Sequence, residues 1–217
     1  MMDLKRSLNA VRRPMAAALI CGAVLVSLQG CVGIMVGGAA VGALAVTDRR
    51  TIGAQTEDKA IGFKADSRIY SVIPQSDNVK VTSFNRKVLL TGEVRAEASK
   101  AAAEREVAAI EGVQSVINEL GIGEASSFSS RSNDTLITGK VKASFLDQKN
   151  FYGNAVKVVT ERGIVYLMGR VTEREGNIAA DIARGVDGVQ KVVKVFEYIS
   201  EEEYRQLTTT TDSTPPK

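Results

Sequence analysis

The 217-residue chain contains no histidine and no tryptophan, only two cysteines and four prolines, and aromatics make up 5% of it. Without histidine there is no Ser-His-Asp or Cys-His machinery and no imidazole metal ligand. Two cysteines, Cys21 and Cys31, fall within the first 31 residues, so no disulfide framework is expected in the body of the chain. Charge of one sign is also scarce. The formal net charge is +3, and the first thirty residues carry it through Lys5, Arg6, Arg12 and Arg13 against Asp3. The remainder is neutral, which gives nucleic acid no basic footprint to bind.

What the chain does hold, it holds twice. Asn78-Val-Lys-Val81, Val88-Leu-Leu-Thr-Gly-Glu-Val94 and Gly112-Val-Gln-Ser-Val-Ile117 return as Ala155-Val-Lys-Val158, Val165-Tyr-Leu-Met-Gly-Arg-Val171 and Gly188-Val-Gln-Lys-Val-Val193. Same-order blocks at a nearly constant offset of 76 or 77 mean two copies of one small module. In each, an apolar stripe (Ile61, Ala65, Ile69; then Ile137, Val141, Phe145) predicts a first helix, ended in the first copy by Pro74. Two β-branched runs follow around Asn85-Arg-Lys87 and Glu161-Arg-Gly163. A second helix comes next, with Ala98, Ala101, Ala102, Arg105 and Ala109 at helical spacing in copy one and a capping box at Thr172-x-x-Glu175 in copy two. Gly112 and Gly188 are expected to end these helices before a last strand. The order is αββαβ, an α+β module with a three-stranded mixed sheet against two helices. Gly92, Gly112, Gly169 and Gly188 are assigned structural work, and Glu173, Glu175 and Asp181 a solvated helix face.

The sequence divides as 1–30, a basic start and an apolar run too short to span a bilayer; 31–57, a Gly/Ala/Val-rich tether; 58–122, module one; 123–131, a serine-rich linker; 132–200, module two; and 201–217, a Thr/Ser/Pro tail expected to be disordered. The serine linker predicts separable modules, with 132–200 as a protease-resistant fragment. Leu28-Gln-Gly-Cys31 resembles the lipobox of bacterial lipoproteins. That resemblance implies cleavage before Cys31, acylation of its thiol and amine, and, with Val32 rather than aspartate next, sorting to the periplasmic face of the outer membrane of a Gram-negative cell. Three acyl chains make release negligible.

The Val-x-Leu-x-Gly-x-Val pattern and the Gly-Val-x-x-Val closings make residues 58–200 resemble two tandem BON domains. The lipobox, the tether, Thr47-Asp-Arg-Arg-Thr-Ile-Gly53 and Ser132-Asn-Asp-Thr135 extend the resemblance to dual-BON outer-membrane lipoproteins. It implies a non-enzymatic protein without cofactor or metal that supports envelope integrity and cell division. Binding to anionic phospholipid such as phosphatidylglycerol would run through the first helix of the second domain. The copies differ there: Ala60 becomes Leu136 and Asp66 becomes Lys142, while Lys64 stays basic as Lys140. Leu136 beside Arg131, Lys140 and Lys142 suits an anionic interface, where each cation contributes on the order of 1 kcal/mol. The family's aromatic at position 136 is absent. The other expectation is a periplasmic adaptor, such as a regulator of cell-wall amidase activation, that recognises a protein and no lipid.

Overall fold

The computed structural model describes residues 48–75, 77–148 and 153–212, with side chains to residue 207. The signal segment, Cys31 and nearly all of the Gly/Ala/Val run lie outside the described residues. Thr47–Lys217 forms one compact unit.

Thr51 caps the first helix, α1 (Ile52–Val72), its side chain accepting from the Ala54 amide. The helix therefore starts within the span assigned to the tether, and it stops where Ile73 turns extended ahead of Pro74. Strands β1 (Asn78–Phe84) and β2 (Lys87–Val94) form an antiparallel hairpin. Helix α2 (Glu97–Ala108) returns the chain to β3 (Ser115–Asn118), parallel to β2. Leu120, 2% exposed, turns into the core and interrupts this edge, which resumes as β4 (Gly121–Ile122). Module two repeats the plan with α3 (Phe128–Leu146), a 3-10 turn (Gly153–Ala155), β5 (Lys157–Glu161), β6 (Ile164–Val171), α4 (Glu173–Arg184) and β7 (Lys191–Tyr198).

Both hairpins turn through two residues with positive φ, Asn85 and Arg86 in one and Arg162 and Gly163 in the other. That is the primed turn matching strand twist, and it is costly for a non-glycine residue. A buried aspartate at the same place on each first helix compensates. Asp58 accepts from the amides of Asn85 and Arg86 at 2.6 and 2.8 Å, and Asp134 from those of Arg162 and Gly163 at 2.9 and 2.8 Å.

Each module has its own core. Ile61, Ala65 and Ile69 pack on Val88, Leu90 and Val94; Ile137, Val141 and Phe145 pack on Val165, Leu167 and Val171. The predicted stripes of both first helices are buried as expected. On α2 the buried residues are Ala103 and Val107, not the alanines at 98, 101 and 109, because the β-branched Val107 sets the inward face. Alternate residues of β2 and β6 point the other way, where Phe84 and Leu89 meet Tyr166, Met168 and Val195. The two sheets are thus stacked face to face, in four layers: helices, sheet, sheet, helices. Both faces of the two central strands are therefore covered, and their residues are buried without alternation from Val88 to Val94 and from Val165 to Gly169.

Three expectations need correction. Residues 201–212, assigned to a disordered tail, form a helix, α5 (Glu201–Asp212), held by Glu203 accepting from Arg170 and by the Tyr204 ring beneath Arg49 at 4.7 Å. The linker is shorter than 123–131, since α3 already starts at Phe128 with Ser127 as its cap. The helix ends are Ala109 and Gly185, with Gly112 and Gly188 three residues further on at φ 91° and 93°. Those glycines fit the tight turn into the last strand rather than the helix cap.

Candidate functional site

The first helix of module two presents Leu136 to solvent at 65% exposure, with Arg131, Lys140 and Lys142 also exposed. The spacing that buries Ile137, Val141 and Phe145 turns Leu136 outward. Lys140 reaches Asp187 at 2.9 Å, an aspartate 94% exposed whose carboxyl is held below its ordinary value first by this hydrogen bond and then by the lysine charge. Lys140 is therefore a weaker attractor for anions than Lys142. Asp134 is taken up by the hairpin amides, leaving Asp147 as the exposed acid of this helix and its cap. The outward face is broader than Leu136. Phe128 is 79% exposed and Leu146 69%. Eighteen residues is five helical turns, so Phe128 and Leu146 share an azimuth across about 27 Å. An exposed aromatic thus stands eight residues before Leu136, at a position visible only when the helix start is known.

Lys142 belongs to a basic edge that crosses to the other module. Packing lowers the Lys157 ammonium below its ordinary value, Arg50 and Lys142 push it the same way, and Asp58 and Asp48 oppose. Its Nζ donates to the Ser83 carbonyl of module one at 3.3 Å. Arg50, only two residues inside the first described position, donates to Asp48 and to Asp58 at 2.7 Å and stacks on Phe84 at 4.0 Å. The preceding Arg49 goes to the other module: it grips Glu175 in two bonds of 2.7 and 2.6 Å and donates to the Arg170 carbonyl at 2.9 Å. Adjacent arginines thus pin the incoming chain to both modules, beside the edge that carries Lys142.

This overturns the solvated reading of Glu175. The capping box is present, with Thr172 and Glu175 exchanging bonds, yet Glu175 is 4% exposed. Burial raises its carboxyl, and the Arg49 hydrogen bond, the Thr172 amide and the Arg49 charge outweigh that and hold it below its ordinary value. Glu173 and Asp181 are exposed as expected. A second buried group lies between the modules. Glu93 accepts from Asn78 and from the Ser126 amide and hydroxyl, with Arg162 3.6 Å away. Glu161 pairs with Lys80 of module one at 2.7 Å, its other oxygen unpartnered. The described residues hold no cluster of three metal-ligating side chains. No helix among them is long and apolar enough to cross a membrane.

The assigned glycines have steric roles. At Gly92 (φ 108°) a Cβ would sit 1.9 Å from the Asn78 carbonyl oxygen, and at Gly169 one would sit 2.7 Å from that of Ala155. Gly92 admits the first residue of β1 close over β2, and Gly169 admits the 3-10 turn that leads into β5 close over β6.

Residues 64–124 and 133–200 each match the BON domain family. Over 84% of its length the chain is 39% identical to 95% of the outer membrane lipoprotein DolP of Haemophilus influenzae. It is 31% identical to the 21 kDa hemolysin of Actinobacillus pleuropneumoniae, across 70% of this chain and 79% of that protein. With the osmotically-inducible protein Y of Escherichia coli it shares 30% identity across 64% of this chain and 81% of that one.

Proposed function

The chain belongs to the BON-domain family, as a dual-BON outer-membrane lipoprotein of the DolP type, and on that premise we propose that it is a non-catalytic, Cys31-anchored protein whose second domain docks on anionic phospholipid. Through that docking it supports envelope integrity and cell division. The observation that carries the reading is the outward face of α3: exposed Leu136, flanked by Phe128 and Leu146 and bordered by Arg131 and Lys142. Apolar side chains enter the acyl boundary while the cations meet headgroup phosphates. The acyl anchor keeps local lipid concentration high, so a weak site suffices. The clamp at Arg49 and Arg50 brings the tethered chain to the edge near Lys142.

The test uses a soluble version starting at Thr47, which keeps both arginines, with phosphatidylglycerol and neutral liposomes. Binding should require the anionic lipid, weaken as salt rises through the screening range, and fall for Leu136→Asp and Lys142→Glu. A soluble form that ignores anionic liposomes at low salt would refute the lipid reading and leave a protein-binding adaptor.

A further inference from the structure

The first helix of module one also carries an outward apolar stripe, which the reading of module two does not use. Ile52, Phe63 and Tyr70 are 83%, 79% and 70% exposed. They are eleven and seven residues apart, three and two helical turns, so all three lie on one line of about 27 Å, opposite Ile61, Ala65 and Ile69. Gln75 donates to the Tyr70 hydroxyl at 2.8 Å, fixing that ring at the C-terminal end. Lys59 is exposed along the line with Asp66 exposed beside it, and the first turn has no acidic residue. At the matching positions module two has Phe128 for Ile52, Gly139 for Phe63 and Leu146 for Tyr70, so the line carries two aromatics on α1 against one on α3.

We propose that this α1 face is a second bilayer-docking surface. Its occupant follows from where the chain comes from. The sequence between Cys31 and the first described residue, Val32 to Thr47, bears no charged residue, and α1 is the first described element after it. Ile52 therefore stands twenty-one positions from the acylated cysteine, nearer along the chain than any residue of α3. Tyrosine and phenylalanine are side chains that settle at a headgroup boundary, and the stem of Lys59 can reach up from it. A helix start without acids leaves its positive dipole end open to phosphate.

The four-layer stack turns the α1 and α3 faces away from each other. One flat bilayer accepts one face at a time, so the anchored protein has two docked orientations.

The absence of tryptophan makes single reporters clean. Full-length lipidated protein carrying Phe63→Trp, Tyr70→Trp, Leu136→Trp or, as a water-exposed reference on α2, Ala101→Trp is reconstituted into phosphatidylglycerol-containing vesicles with brominated acyl chains. Phe63→Trp and Tyr70→Trp should shift to the blue and lose most of their emission relative to unbrominated vesicles, while Ala101→Trp does not. Two independent positions guard against one variant failing to fold. Emission at both α1 positions that matches Ala101→Trp overturns the proposal, and a protein partner then becomes the occupant of the stripe. Leu136→Trp reads the α3 face alone, so loss of quenching there rejects the module-two reading without touching this one.

Discussion

Arg49 shows how a residue outside both repeats can hold both together. Its side chain is 8% exposed, bonded to a Glu175 side chain that is 5% exposed, and its guanidinium faces the Tyr204 ring. Removing one partner of such a pair leaves a buried charge uncompensated. Arg49→Ala should therefore cost on the order of 3 kcal/mol, read as a lower urea midpoint at pH 7. Arg49→Lys, without the planar fork, should recover only part of it. The sequence exposed half of Glu175: three-residue spacing from Thr172 signals a capping box, but a partner 126 residues away leaves no local trace. Glu161 behaves in the opposite sense. Burial raises its carboxyl above the ordinary 4.5, and the Lys80 bond only partly offsets this. The folded state then holds its proton more tightly than the unfolded one, so this group costs stability as pH rises through its folded value. Glu161→Gln should gain stability at pH 7 relative to the parent, and the gain should vanish as pH falls to the ordinary carboxylate range. Asp58, Glu93 and Glu175, all held low, act oppositely and make the whole protein less stable in acid. Denaturant titrations at several pH values separate the two; a gain for Glu161→Gln that persists at pH 4 would contradict the burial argument.

Elements were legible in proportion to how local their causes are. The stripes at 61, 65, 69 and 137, 141, 145, the hairpins and the stop at Pro74 need only short-range periodicity and steric rules. The α2 register failed because alanine stands on every face of that helix and carries too little contrast to mark one. The extra turns at the start of α1 and α3 were missed because Thr51 and Ser127 cap them without a capping-box glutamate, so Ile52 and Phe128 fell into tether and linker. The N-terminal ends of both exposed stripes went unseen for that reason. Glycine gives an element-scale test with two signs. A methyl at Gly92 would collide with the Asn78 carbonyl in a left-handed backbone, so Gly92→Ala should destabilise strongly. At Gly139, in the interior of α3, nothing lies within 4 Å, and Gly139→Ala should stabilise by about 0.5–1 kcal/mol. Thermal unfolding of both variants checks the pair.

At the scale of the whole molecule the repeat was plain from sequence and its consequence was not. Alternation along β2 places Leu89 and Glu93 on the face away from α1, and along β6 it places Tyr166 and Met168 on the face away from α3. Read alone, residues 88–90 and 164–168 are short runs without alternation, which fit a single buried sheet equally well. Two half-cores therefore imply a third, and two separable modules become one stacked unit. Tyr166 is 1% exposed and Met168 and Leu89 are fully buried, so a free module two would open a hydrophobic sheet face to water. The linker is exposed over Gly123, Glu124 and Ala125, while Ser126 is tied to Glu93. A protease site inserted after Glu124 should therefore be cut readily, and the two halves should stay together on size-exclusion chromatography, held by the inter-sheet core and the arginine clamp. Met168→Asp places a charge in that core and should let the cut halves separate, while the domain cores of Val165 and Leu167 are untouched. If the cut wild-type halves elute apart, the sheets do not hold each other, and residues 132–200 stand alone as the serine linker first suggested.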